Sequence, residues 1–148
     1  MTPSGLSSLE HDVIAMFLSP DHPVFEALRL QFDRCEAAAR ELTGVGFFTE
    51  LSIPTDAAPA PVRPARLHLG GVVAEIDGLK HGAGFVLFIE NGMLATLEGY
   101  SYDEPWPERV NSFSLLPRTR SEGNNDLQRV ERAFDRSPDA SGGDIGAR

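Results

Sequence analysis

Between Glu98 and Glu108 the chain gathers carboxylates and aromatic rings: Glu98, Tyr100, Tyr102, Asp103, Glu104, Trp106 and Glu108. Carboxylates steer and orient cationic groups, while a desolvated aromatic side chain carries much of the affinity at a protein interface. Trp106 stands between Pro105 and Pro107, which hold it in an extended, low-entropy segment suited to recognition. The seven residues read as a contact loop for a basic protein partner, with Trp106 as its anchor. The plainer alternative has Trp106 packing over the end of a sheet and the carboxylates solvated.

A hydrolytic or metal site needs convergent groups. His11, His22, His68 and His81 are scattered, without the spacing that puts two imidazoles on one helix face. His81 lies in a glycine-flanked turn and could meet Glu98 or Asp103 in a pocket. That is the second functional reading, a small-molecule-binding or hydrolytic domain. The carboxylate pairs Glu75/Asp77 and Asp103/Glu104 could do acid–base work, but nothing in their spacing signals perturbed acidity. No serine sits in G-x-S-x-G. The glycines at 44–46 and 82–84 lack both the strand–loop–helix setting and the Lys-Ser/Thr of a phosphate loop. These patterns assign no catalytic residue, cofactor or metal ligand, and they favour a non-enzymatic protein. The lone Cys35 excludes an internal disulfide and, lying in an apolar stripe, reads as a buried, inert thiol.

The chain of 148 residues fits one domain, with 41% hydrophobic and 24% charged residues, as in ordinary soluble proteins. Residues 118–148 balance basic and acidic side chains, so residues 1–117 carry the whole formal charge of −9. Such a body repels phosphate backbones, which argues against nucleic acid, and attracts basic partners. The alternative is that acidity simply keeps the protein soluble. No apolar stretch is long enough to span a bilayer, and the N-terminus lacks a basic segment followed by an apolar one. A cytoplasmic protein, with no membrane partner, is expected.

The elements that must position these groups follow from periodicity. Leu6, Leu9, Val13, Met16 and Phe17 recur at helical spacing behind Ser7 or Ser8 as cap, and Ser19-Pro20 should stop that helix. A second helix is expected over 23–42, with its apolar stripe at Phe25, Leu28, Phe32, Cys35, Ala39 and Leu42. After Thr43-Gly44 the period changes to two: Val45, Phe47, Thr49, Leu51 and Ile53 alternate with polar or outward positions, as in a half-buried strand. Residues 54–64, rich in proline and alanine, read as a surface loop. Residues 65–77 are strand-like but broken by Gly70-Gly71, either a tight hairpin or one strand with a bulge.

The strongest local signal is Asn91-Gly92 between the apolar runs 85–89 and 93–97, the mark of a two-residue hairpin turn. Its regular register would put Phe85, Leu87, Ile89, Leu94, Thr96 and Glu98 on one face. Val86, Phe88, Glu90, Met93, Ala95 and Leu97 would then lie on the other. Both faces are largely apolar, and two helices can cover only one, so the second could seal a homodimer or a pocket, or take the tail helix or the 54–64 loop. A short edge strand is expected over 110–116. Beyond residue 117 a flexible tail follows, with a weak helix through Leu127, Val130 and Phe134, and 137–148 has the composition of a disordered segment.

The phrases TGVGFFTEL (43–51), GAGFVLFIENG (82–92) and LEGYSYDEPWPE (97–108) resemble those of a group of small bacterial proteins built as one α+β domain. The similarity covers roughly residues 23–117. It implies a bacterial source and a compact single domain, and it brings no activity, cofactor or functional residue with it. Compact acidic domains of this size include immunity proteins that neutralise basic toxins, an analogy of size and charge. The expectation is an α+β fold over 1–117, with two N-terminal helices on one face of a five- to six-stranded antiparallel meander and a flexible tail over 118–148.

Overall fold

The computed structural model describes residues 5–135. Its elements run α1 (Ser8–Phe17), α2 (Pro23–Phe32), β1 (Glu36–Leu42), β2 (Gly46–Ser52), β3 (Arg66–Ile76), β4 (Ala83–Glu90), β5 (Met93–Ser101), β6 (Phe113–Leu115) and α3 (Arg120–Ala133). The six strands form one antiparallel sheet in the order β1-β2-β5-β4-β3-β6. It is therefore not a simple meander. β3, β4 and β5 follow one another as hairpins, but the chain leaves β2 and crosses the sheet before β3, so that β2 closes against β5.

Helix α1 starts on a reciprocal cap, in which the Ser7 hydroxyl accepts the Glu10 N–H and the Glu10 carboxylate accepts the Ser7 N–H. Helix α2 begins with His22 as cap and Pro23 in its first turn, where the missing N–H costs nothing. Both turn their apolar sides to one face of the sheet, where Phe17, Phe25 and Leu28 are wholly buried with Leu69, Leu87 and Leu97.

The expected 23–42 helix is only ten residues long and ends at Phe32. Two bonded turns, Arg34 N–H to Gln31 and Cys35 N–H to Phe32, bend the chain into β1. EAAAREL is good helix sequence, but its side chains are mostly exposed, so a helix there would bury little. As a strand it satisfies the backbone edge of β2 instead, from Glu36↔Ser52 to Leu42↔Phe47. Pairing outweighs propensity here. Cys35 is buried at the entry to β1, and that burial, with Glu36 beside it, pushes its thiol up to about 11.

Gly70-Gly71 turns out to be a bulge within one long strand, since the register with β4 shifts between Leu69 and Val72. Gly71 takes φ +87°, and a Cβ there would stand 2.9 Å from the Glu122 Cβ.

The central turn forms as its sequence demands, with Asn91 at φ 51° and Gly92 at φ 81°. Glu90↔Met93 and Ile89↔Leu94 pair in the regular register. One residue is then inserted, so that Phe88 meets Thr96, Leu87 meets Leu97 and Val86 meets Glu98. The expected faces are corrected accordingly. Leu97 moves to the helix side with Phe85, Leu87, Ile89 and Leu94, while Thr96 and Glu98 move to the opposite side. The bulge puts Leu94 and Leu97, three residues apart, on the same buried face.

The segment expected as a tail carries α3 as far as Ala133. Thr119 and Glu122 cap it reciprocally, and Val130 is wholly buried. Its buried Asp126 accepts from Gly70 N–H, Arg118 and Arg129, and Arg118 also donates to Gly70 O. Helix α3 thus clamps the β3 bulge on the same side of the sheet as α1, with the Arg118 guanidinium over the Phe17 ring. The expected disordered stretch 137–148 lies outside the described residues.

Candidate functional site: the open face of the sheet

The three described helices pack on one side, so among the described residues no helix covers the other side of β2, β5 and β4. Register assembles that side. Glu98 lies between its cross-strand partners Phe48 on β2 and Val86 on β4. One pair along, Thr96 lies between Glu50 and Phe88. In the other direction, Tyr100 lies between Gly46 and Gly84. The side chains of Phe48, Val86, Phe88, Thr96, Glu98 and Tyr100 are all half-buried.

Gly84 has a specific task. A Cβ there would come within 2.6 Å of the Tyr100 ring and 2.9 Å of the Tyr102 hydroxyl, so its absence lets both rings lie down on the sheet. The two rings meet edge to face with centroids 5.6 Å apart, and Tyr102 remains 45% exposed. Burial raises the Tyr100 hydroxyl above its ordinary value, with Tyr102 and Glu98 adding to the shift. Burial also raises the pKa of the Glu98 carboxyl, which stands between Phe48 and Val86. Glu41, opposite Phe48, and Glu50, opposite Thr96, extend the acidic character. A cation lies at the far edge of this face, where Arg66 sits 4.5 Å above the Phe88 ring and 3.6 Å from Glu90.

The seven residues expected as one contact loop are divided by the structure. Glu98, Tyr100 and Tyr102 share the open face. Asp103 follows in an exposed left-handed turn at φ 64°. Glu104 is engaged within the fold: its two carboxylate oxygens accept the N–H groups of Lys80 and His81 at 2.7 and 2.9 Å, which hold its pKa below the ordinary carboxylate value. Trp106 is tied back to the β1–β2 turn through its N–H to Gly44 O, and its ring meets Phe47 edge to face at 5.3 Å. Phe47 belongs to the helix side of the sheet, so Trp106 and Glu108 look into a separate cleft there, beside Glu10 and Arg40.

His81, Glu98 and Asp103 do not share a cavity. The hollow that His81 lines, about 760 Å³, is walled by Val73, Glu75, Asp77, Tyr102, Ser112 and Leu116 among others, and neither Glu98 nor Asp103 borders it. Among the described residues, no three His, Cys, Asp or Glu side chains are grouped to hold a metal ion, and no helix is long and apolar enough to cross a membrane.

Phe48, Glu50 and Glu41 belong to the face although they lie outside the 98–108 segment. The signal for Phe48 was present in the sequence: Phe47-Phe48 are adjacent in an alternating strand, so one ring must point to each side. The signal for Glu41 was hidden, because its segment reads as helix. Comparison with known protein families, with curated proteins and with solved structures finds no match.

Proposed function

We propose that the protein is a non-enzymatic binding module that docks a basic protein partner on the helix-free face of its sheet. The observation that carries this reading is the composition of that face. Phe48, Val86, Phe88 and Tyr100 lie half-exposed in neighbouring register positions, interleaved with Glu41, Glu50 and Glu98. Aromatic anchors surrounded by carboxylates of one sign match a partner that brings cations to an apolar surface. A second copy of this chain fits less well, because two such acidic faces repel when juxtaposed. An acidic domain that neutralises a basic protein, in the manner of an immunity protein, is the kind of function this surface suits.

The test is capture of partners from source lysate on immobilised protein, at low and high salt, with face and control variants in parallel. A basic partner should be retained in stoichiometric amount at low salt and released as salt rises. Phe88→Lys should abolish retention, and Trp106→Ala, on the other side of the sheet, should leave it intact. Glu98→Gln supplies an independent readout. The folded carboxyl is raised, so the folded state binds more protons than the unfolded state above the ordinary pKa, and the ionised group costs stability at neutral pH. Glu98→Gln should therefore slightly stabilise the isolated protein, by less than a fully buried carboxylate would allow because solvent screens the group, while weakening capture. Retention indifferent to Phe88→Lys, with the fold intact, would rule the face out.

A further inference from the structure

On the helix side of the sheet, three separate segments converge on a cleft of about 500 Å³: the start of α1, the β1–β2 hairpin end, and residues 106–113. Its walls are chiefly apolar, with Leu9, Leu42, Phe47, Trp106, Val110 and Phe113. One guanidinium, that of Arg40, stands among them. The way it is held is informative. Glu10 is 2% exposed, and its carboxylate accepts from Arg40 Nε at 2.9 Å, Arg40 Nη2 at 2.7 Å, the Ser7 N–H and the Thr49 hydroxyl. Arg40 Nη2 also donates to Gly5 O at 3.0 Å. One edge of the guanidinium is thus fixed, and among the described residues its Nη1 group has no partner.

We propose that this cleft binds a small molecule with an apolar or aromatic body ending in a single carboxylate. The body lies along Phe47 and Trp106 and covers Leu42, an apolar side chain left 72% exposed beside the cleft. The carboxylate accepts from Arg40 Nη1, a charge-assisted bond to a donor whose orientation is fixed before the ligand arrives. A volume of this size, mostly apolar and with few convergent polar groups, is the usual setting of a ligand site. A salt bridge serving only to tie α1 to β1 would need neither the concavity nor the uncovered apolar wall. Glu108, exposed among the lining residues, disfavours ligands with a second negative charge.

Trp106 is the chain's one tryptophan, so its fluorescence reports occupancy directly. The purified full chain is titrated with 3-phenylpropionate and, in parallel, with 3-phenylpropan-1-ol, which has the same body but no charge. The expected result is a saturable change with the acid and binding about tenfold weaker with the alcohol. Arg40→Gln should remove the difference between the two probes. Because that variant leaves Glu10 without its cation and could unfold, Val110→Phe provides a second arm. It narrows the cleft without touching the ion pair and should weaken both probes while circular dichroism stays unchanged. No saturable response to the acid, equal affinity for acid and alcohol, or a response indifferent to Val110→Phe would each overturn the proposal.

Discussion

Glu10 does two jobs with one carboxylate: it closes the cap of α1 and holds Arg40 and Thr49 across to the sheet. Burial pushes its pKa up, but the hydrogen bonds from Arg40, Thr49 and Ser7 prevail and leave it below the ordinary value of 4.5. An unfolded chain then takes up this proton at a higher pH than the folded one. The stabilisation is present in full above the ordinary pKa and is lost as pH falls through the depressed folded value. Glu10→Gln should cost about 2 kcal/mol at neutral pH, discounted for the partial exposure of Arg40. It should also flatten the acid limb of a stability–pH profile measured by denaturant titration. An unchanged acid limb would show that other carboxylates govern it. At this scale the sequence was informative about type and silent about partners. The spacing of Ser7 and Glu10 suits a reciprocal cap, but nothing local joins Glu10 to Arg40. Likewise the acidic-aromatic content of 98–108 was plain to read, whereas the bonds from Lys80 and His81 to Glu104 depend on two loops meeting.

Element α3 shows how a polar helix can be docked. Val130 is its one wholly buried apolar side chain, and much of its attachment runs through Asp126 and Arg118 to the Gly70-Gly71 bulge. The two glycines differ in what they must provide. Gly71 has a left-handed φ and no room for a Cβ against Glu122, while a Cβ on Gly70 would meet nothing within 4 Å. Gly71→Ala should therefore cost about 1–3 kcal/mol and open residues 120–133 to protease, and Gly70→Ala should do neither. Matched denaturation midpoints and limited digestion would check this, and equal effects from the two would refute it. The ambiguity of Gly70-Gly71 in the sequence had a physical basis, because positive φ serves a turn or a bulge equally well. The strand at 36–42 was illegible for another reason: its helix-favouring residues form an edge whose worth lies in β2, a partner no local window contains.

The segregation of helical and alternating periods was enough to reveal an α+β molecule with helices on one side of its sheet. What lies over the other face was not legible, because a dimer, a pocket, the tail helix or the 54–64 loop would each satisfy the same apolar pattern. Strand order was not accessible in the same way, since local turns specify neighbours only within β1–β2 and β3–β4–β5. The pairing of β2 with β5 joins those two units across the crossover. That crossover is fastened where it passes the central turn: Gln31 donates to Ala58 O and Gly92 O and accepts from Leu94 N–H, and Ala60 N–H donates to Gly92 O. Its stretch around Thr55 and Asp56 is exposed, held by the Pro54–Ala57 turn and the solvent-exposed Arg34–Asp56 ion pair.

The chain can therefore be divided there. Cutting between Thr55 and Asp56 yields one piece with α1, α2 and the β1–β2 hairpin, and another with the remaining strands and α3. Each piece alone presents an unpaired strand edge and half of a hydrophobic core, so neither should hold its structure by itself. Mixed in equal amounts, the two should recognise each other through the β2 and β5 edges and rebuild the sheet. The regained native circular dichroism would depend on fragment concentration, making this seam a ready split point for a two-part reporter.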